Sequence, residues 1–137
     1  MLLAIDGPVA SGKTTTARLV AHRLGIMFFD TGLTYRALAL ALLRRGVPAS
    51  EEDTVVAIAE SLALSVHPVG ETVRLLLDDE DVTEALWTAE VAGVSSQIAA
   101  IPRVRRILVA KQRDAVGSQD AVVAGRDIGT VVFPDAQ

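Results

Sequence analysis

Residues Leu2 to Ile5 form an uninterrupted apolar run that stops at Asp6 and opens into a loop bearing Gly7 and Gly12. A run without alternation is expected of a strand buried on both faces of a parallel sheet. From Lys13 to Leu24, Ala17, Val20 and Leu24 recur on one helical face, and Gly25 is placed to end that helix in the left-handed conformation. Ile26 to Phe29 reads as a second buried strand, Asp30-Thr31-Gly32 as a turn, and Tyr35 to Arg45 as an apolar-faced helix stopped by Gly46. Ser50 is expected to open a further helix, with Asp53 at the third position of a capping box and a stripe through Val55, Ile58 and Leu62.

From about residue 64 the period changes. Leu64, Val66, Val73, Leu75 and Leu77 alternate with other residues around Pro68-Val69-Gly70, which predicts a small antiparallel element. The acidic run Asp78-Asp79-Glu80-Asp81 reads as a solvated turn rather than a metal site. A helix is expected over 89–100, and another from Pro102, in its first turn, to about Val116. Ala121 to Ala124 is a third buried strand. Strands alternating with helices around one antiparallel insertion predict an α/β fold, a doubly wound parallel sheet, built as one domain over 1–137 with an inserted lobe at about 64–100.

Composition narrows the function. The chain has 137 residues, half of them hydrophobic, enough for one globular core. Its formal charge of -4 argues against nucleic acid as a partner, because duplex-binding surfaces carry a basic excess. The absence of cysteine excludes disulfide and thiolate chemistry. No run approaches a signal-peptide core or a membrane span, so a soluble, cytoplasmic protein without a membrane partner is expected.

The sequence Gly7-Pro8-Val9-Ala10-Ser11-Gly12-Lys13-Thr14 fits the phosphate loop G-x-x-x-x-G-K-[ST], set between an expected strand and an expected helix. The two glycines let successive backbone N–H groups turn inward, and the helix N-terminus adds partial positive charge, making a nest for anionic oxygens. Lys13 can reach the β and γ phosphates, and the Thr14 hydroxyl suits Mg²⁺, a hard cation. ATP is therefore expected on residues 7–15, including Thr15. The guanine-reading N-K-x-D motif of GTPases is absent.

A second constellation selects among phosphate-loop proteins. Asp30-Thr31-Gly32 is followed by Tyr35-Arg36, then Ser96-Gln97, then Pro102-Arg103-Val104-Arg105, then Gly125-Arg126-Asp127-Ile128-Gly129-Thr130. In the patterns I-D-G-P, D-T-G-x-x-Y-R, S-Q-x-A-x-x-P-x-V-R and G-R-D-I-G-T, the whole chain resembles the bacterial cytidylate kinases, which transfer the ATP γ-phosphate to CMP and dCMP and belong to the nucleoside monophosphate kinase family of P-loop kinases. The antiparallel insertion is similar to the extra piece of that family.

The resemblance implies that Arg36 and Arg126 hold the acceptor monophosphate, Ser96 touches the ribose, and Thr31, Arg105 and Asp127 read cytosine, with Tyr35 also in the CMP site. Lys13 and Arg126 are then the catalytic cations and Thr14 the Mg²⁺ ligand. Residue chemistry agrees: guanidinium forks suit phosphate, and a carboxylate accepts from the exocyclic amino group of cytosine. Read without the family, Tyr35 is a packing aromatic, Asp127 caps a turn, and Arg103, Arg105, Arg106, Lys111 and Arg113 are the wet side of a helix. Relatives often carry an acid immediately before G-R-D, where this chain has Ala124, so either metal binding depends on Thr14 and other groups such as Asp6 or an acid at this position is not essential. The family also continues beyond Pro134-Asp135-Ala136-Gln137 into a core strand, an arginine-rich lid and a final strand and helix, so these residues are expected to be the N-terminal portion of a longer, monomeric protein. The rival readings are a P-loop kinase of another small acceptor, such as shikimate or gluconate, and a nucleotide-binding fragment without turnover.

Overall fold

The computed structural model describes residues 2–6, 13–70 and 72–125. Three apolar segments far apart in the chain, β1 (Leu2–Asp6), β2 (Met27–Asp30) and β6 (Ala121–Gly125), pair in parallel in the order β1-β6-β2. The central strand is Ala-Val-Val-Ala-Gly, small and β-branched with no charge, and all five of its residues are buried. That composition suits a strand covered above and below.

Helix α1 (Lys13–Leu24) covers one face of this sheet. Its Ala17 and Ala21 pack on Phe28, Val122 and Ala124. The expected stripe holds for Ala17 and the partly buried Val20 but is corrected at Leu24, which is 45% exposed; Ala21, four residues from Ala17, completes the contact face, and the two small side chains let helix and sheet approach closely. Gly25 ends the helix with φ of +66°, as its position predicts.

The opposite face carries everything else. Helix α2 (Gly32–Arg45) buries eight residues, Leu33, Thr34 and the run Ala37 to Leu42, so it is nearly surrounded and sits at the centre of the core. It begins earlier than the expected Tyr35, because the Asp30 carboxylate accepts the Gly32 N–H at 2.9 Å and closes the turn directly into the helix. Gly46 ends it with φ of +65°. Helix α3 (Glu52–Ser61) has Glu51 at its N-cap with no side-chain cap, so the capping box expected from Ser50 does not form; Asp53 instead pairs with Arg103 at 2.8 Å.

The antiparallel element is present as β3 (Leu64–Val69), β4 (Thr72–Leu77) and a short β5 (Glu80–Asp81). Its turn lies beyond Val69 rather than across Pro68 and Val69, which both pair in β3. The acidic run is only half a turn: Asp78 and Asp79 have φ of +50° and +69° and connect β4 to β5, while Glu80 and Asp81 form the strand and pair with Arg44 and Arg74. Helix α4 (Ala89–Ala99) is capped by Thr88, whose hydroxyl accepts the Val91 N–H at 3.1 Å. Helix α5 (Pro102–Val116) starts on Pro102 as expected.

One hydrophobic cluster runs from Met27, Phe29 and Val123 of the sheet through Leu38 and Leu42 of α2 to Val66, Leu75 and Leu86 of the lobe and Ile98 and Leu108 of α4 and α5. No helix among the described residues is long and apolar enough to cross a membrane.

Candidate active site

The register of the parallel sheet decides where the motifs meet. Ile5 and Asp30 both stand opposite Ala124, and Asp6 stands opposite Gly125. The three chain segments that leave the carboxyl ends of β1, β2 and β6 therefore start side by side, and they are the loop from Gly7, the Thr31-Gly32 turn and the G-R-D segment. Ligands of open α/β sheets bind at such an edge.

Thr31 ties two of these segments together. Its N–H donates to the Ala124 carbonyl at 3.0 Å, and its buried hydroxyl donates to the same oxygen at 3.2 Å. A further chain supports it from below. Gln112 of α5 donates from Nε2 to Thr34 Oγ1 at 2.9 Å, and the Thr34 hydroxyl donates to the Thr31 carbonyl at 2.7 Å. Gln112 is buried and its Oε1 has no partner among the described residues. Sequence reasoning missed this support, although the signal was there: Gln112 continues the spacing of Val104 and Leu108 on the buried face of α5, where an apolar residue would be the ordinary choice.

The arginines divide by partner. Arg103 meets Glu52 at 3.1 Å and Asp53 at 2.8 Å, joining the starts of α5 and α3. Lys111 donates to the carbonyls of Glu60 at 3.0 Å and Leu62 at 2.6 Å, satisfying the end of α3. Both link helices, Arg103 from the exposed face of α5 and Lys111 from a half-buried position. Arg105 instead turns to the Tyr35 hydroxyl, which brings two of the expected CMP-site residues together. Burial holds the Tyr35 hydroxyl above the usual phenol range, partly offset by the Arg105 charge and hydrogen bond, so Tyr35 is a neutral hydrogen-bonding group at physiological pH.

Arg36, half-buried, donates from Nη1 to the Leu86 carbonyl at 3.0 Å, and its guanidinium carbon lies 4.5 Å from the centre of the Trp87 ring. Leu86 and Trp87 are a second contribution that no sequence pattern marked. Ser96 is exposed on α4, its hydroxyl donating to Ala92 within the same helix at 3.2 Å.

Gly7, Pro8, Val9, Ala10, Ser11, Gly12, Arg126 and Asp127 lie outside the described residues, as do the side chains of Lys13 and Thr14. What the structure does fix is their setting: β1 ends at Asp6 and α1 begins at Lys13, so the loop is bracketed by a strand and a helix N-terminus. Thr15 is exposed in the first turn of α1. Ala124, where an acid was expected from the relatives, is buried against Ala17, Ala21 and Phe28 beneath that helix. Among the described residues no three His, Cys, Asp or Glu side chains cluster to hold a metal.

The profile of the family described as cytidylate kinase matches residues 3–137. The chain is 47% identical over 135 residues to a cytidylate kinase of Methylococcus capsulatus, covering 98% of this chain and 60% of that protein. It is 43% identical over 134 residues to a cytidylate kinase of Limosilactobacillus fermentum, covering 98% of this chain and 59% of the relative. Against a cytidylate kinase of Symbiobacterium thermophilum the identity is 42% over 138 residues, covering 99% and 61%. The chain thus spans about three fifths of the length of these relatives. The chain belongs to the cytidylate kinase family.

Proposed function

We propose that the protein transfers the γ-phosphate of ATP to CMP, and to dCMP as a second acceptor, giving the nucleoside diphosphate and ADP. The observation that carries this reading is the double hydrogen bond from Thr31 to the Ala124 carbonyl, at 3.0 and 3.2 Å, which joins D-T-G-x-x-Y-R to the start of G-R-D-I-G-T beside the end of the phosphate-loop strand. Family membership supplies the donor and acceptor classes.

In this reading the fold is a doubly wound P-loop kinase domain over 1–137, with an acceptor lobe at about 64–100. ATP lies on residues 7–15, its β and γ phosphates on the loop N–H groups, the α1 N-terminus and Lys13. The Thr14 hydroxyl is the protein's ligand to Mg²⁺, an oxygen donor matched to a hard cation; when bound with the nucleotide, Mg²⁺ neutralises phosphate charge. Arg36 and Arg126 hold the CMP phosphate, and Ser96 faces the ribose. Asp127 accepts from the cytosine amino group while Arg105, set by Tyr35, donates to a ring acceptor. Thr31, whose one hydroxyl proton already goes to Ala124, meets the base as an acceptor. No general base is required, because the attacking oxygen belongs to a phosphate already largely deprotonated at neutral pH. The protein's work is alignment and charge neutralisation in a loose transition state.

A coupled ADP-release assay on the full chain, run with CMP, dCMP, UMP, shikimate and gluconate, tests the reading. CMP and dCMP should drive release and UMP should be poor, since uracil presents an acceptor where cytosine presents a donor. ATP binding with no turnover on any acceptor, or preference for a non-nucleotide, would sink it.

A further inference from the structure

The partners of Arg36 among the described residues are neutral. Arg44, Arg74 and Arg103 each meet a carboxylate at 2.7 to 3.1 Å, so their charge is already answered. Among the described residues Arg36 has a backbone carbonyl at 3.0 Å and an aromatic face at 4.5 Å instead. A carboxylate would cancel the charge that an incoming phosphate needs. A carbonyl and a ring fix the plane of the guanidinium and leave its charge in place.

The ring is presented on a rigid base. Leu86 is fully buried, the Trp87 N–H donates to the Glu84 carbonyl at 3.3 Å to close a short 3-10 turn over Glu84–Leu86, and Thr88 immediately caps α4. Yet Trp87 is 59% exposed, so core packing does not account for it. An exposed indole held by ordered backbone on both sides, with a cation over its face, is suited to keeping a long flexible side chain in one pose before its ligand arrives.

We infer that Trp87 is a positioning residue for the acceptor phosphate, its ring and the Leu86 carbonyl together holding the Arg36 guanidinium ready for an oxyanion. This rests on the assignment of Arg36 to the acceptor phosphate. Since Arg36 would grip that phosphate both before and during transfer, loss of the ring acts on acceptor binding and not on the rate at saturation.

The test compares Trp87→Ala, Trp87→Phe and Arg36→Ala with the parent in the full chain, measuring kcat and KM for CMP and ATP together with thermal melts. Trp87→Ala should raise the KM for CMP about three- to tenfold with kcat and the KM for ATP unchanged, and Trp87→Phe should recover most of it. Trp87 is the single tryptophan of the sequence, so the parent's indole emission, read as the difference from Trp87→Phe, should shift on titration with CMP. That shift should be absent in Arg36→Ala. An unchanged KM for CMP in Trp87→Ala while Arg36→Ala raises it overturns the inference alone. A Trp87→Ala variant that loses ATP binding or melting temperature in step with CMP binding also overturns it, since the role would then be structural. An Arg36→Ala variant with unaltered CMP kinetics overturns the acceptor assignment itself.

Discussion

At the scale of single residues, the same side-chain type is put to opposite uses according to its partner. Arg74 bridges Asp81 at 2.8 Å and Glu84 at 2.7 Å on the open side of the lobe, while Arg36 and Arg105 are met by a carbonyl, a ring and a phenol. The Arg74 guanidinium, with help from the Thr83 hydroxyl and N–H, pulls the Asp81 carboxyl down to about 2 from an ordinary value of 3.8. A lowered folded-state value means that the contribution is complete above about pH 4 and is lost as pH falls through about 2. Asp81→Asn keeps the shape and removes the charge. The melting temperature of Asp81→Asn should therefore lie slightly below the parent at neutral pH, by a margin that shrinks with added salt, and the two should converge in melts recorded between pH 4 and pH 2. A gap that persists at pH 2 would show that the charge is not its source. Residue-scale chemistry was partly legible beforehand. Arg105 stood out from its neighbours only through the motif, and nothing in local spacing could show that Arg103 and Lys111 reach α3, because both links span about fifty positions of chain.

At the scale of elements, local chemistry set the boundaries well wherever a glycine or proline acts, and poorly where a tertiary contact outbids a local one. Gly25, Gly46 and Pro102 delimit helices where the sequence places them. Ser50 does not cap α3, since Glu51 stands at the N-cap, and Asp53, its would-be box partner, meets Arg103 from another helix instead. The acidic run shows how charge alone misleads: Asp78 and Asp79 serve because aspartate tolerates positive φ, and their two left-handed residues match a type I′ connection between β4 and β5. Glycine at the second position carries no left-handed penalty, so Asp79→Gly should stabilise the protein by about 0.5 to 1 kcal/mol, whereas Asp79→Val, β-branched in the same conformation, should cost about 1 kcal/mol or more. Urea midpoints at constant slope would measure both. Equal midpoints for the two variants would contradict the turn assignment.

For the whole molecule, the order β1-β6-β2 was beyond periodicity, since each strand is only a short apolar run and the central one is last in the described chain. What periodicity did convey was burial of the strands, which holds for β2 and β6, while β1 at the sheet edge is only partly buried. The antiparallel lobe is not a loose appendage: Leu75 of β4 and Leu86 belong to the same cluster as Phe29 and Val123 of the sheet, so the element carrying Trp87 and the edge carrying Thr31 share one core. Leu75 is fully buried, and Leu75→Ala should destabilise the protein by about 2 to 5 kcal/mol. If lobe and sheet are one cooperative unit, that loss appears as a single melting transition, and native-state hydrogen exchange quickens by the same factor at the amides of Val122 and Val123 in β6 as at those of β4. Were the lobe an independent unit, Leu75→Ala would speed exchange in β3 and β4 alone and leave β6 protected. The two patterns are distinguishable in one exchange experiment, and the continuity of the core predicts the first.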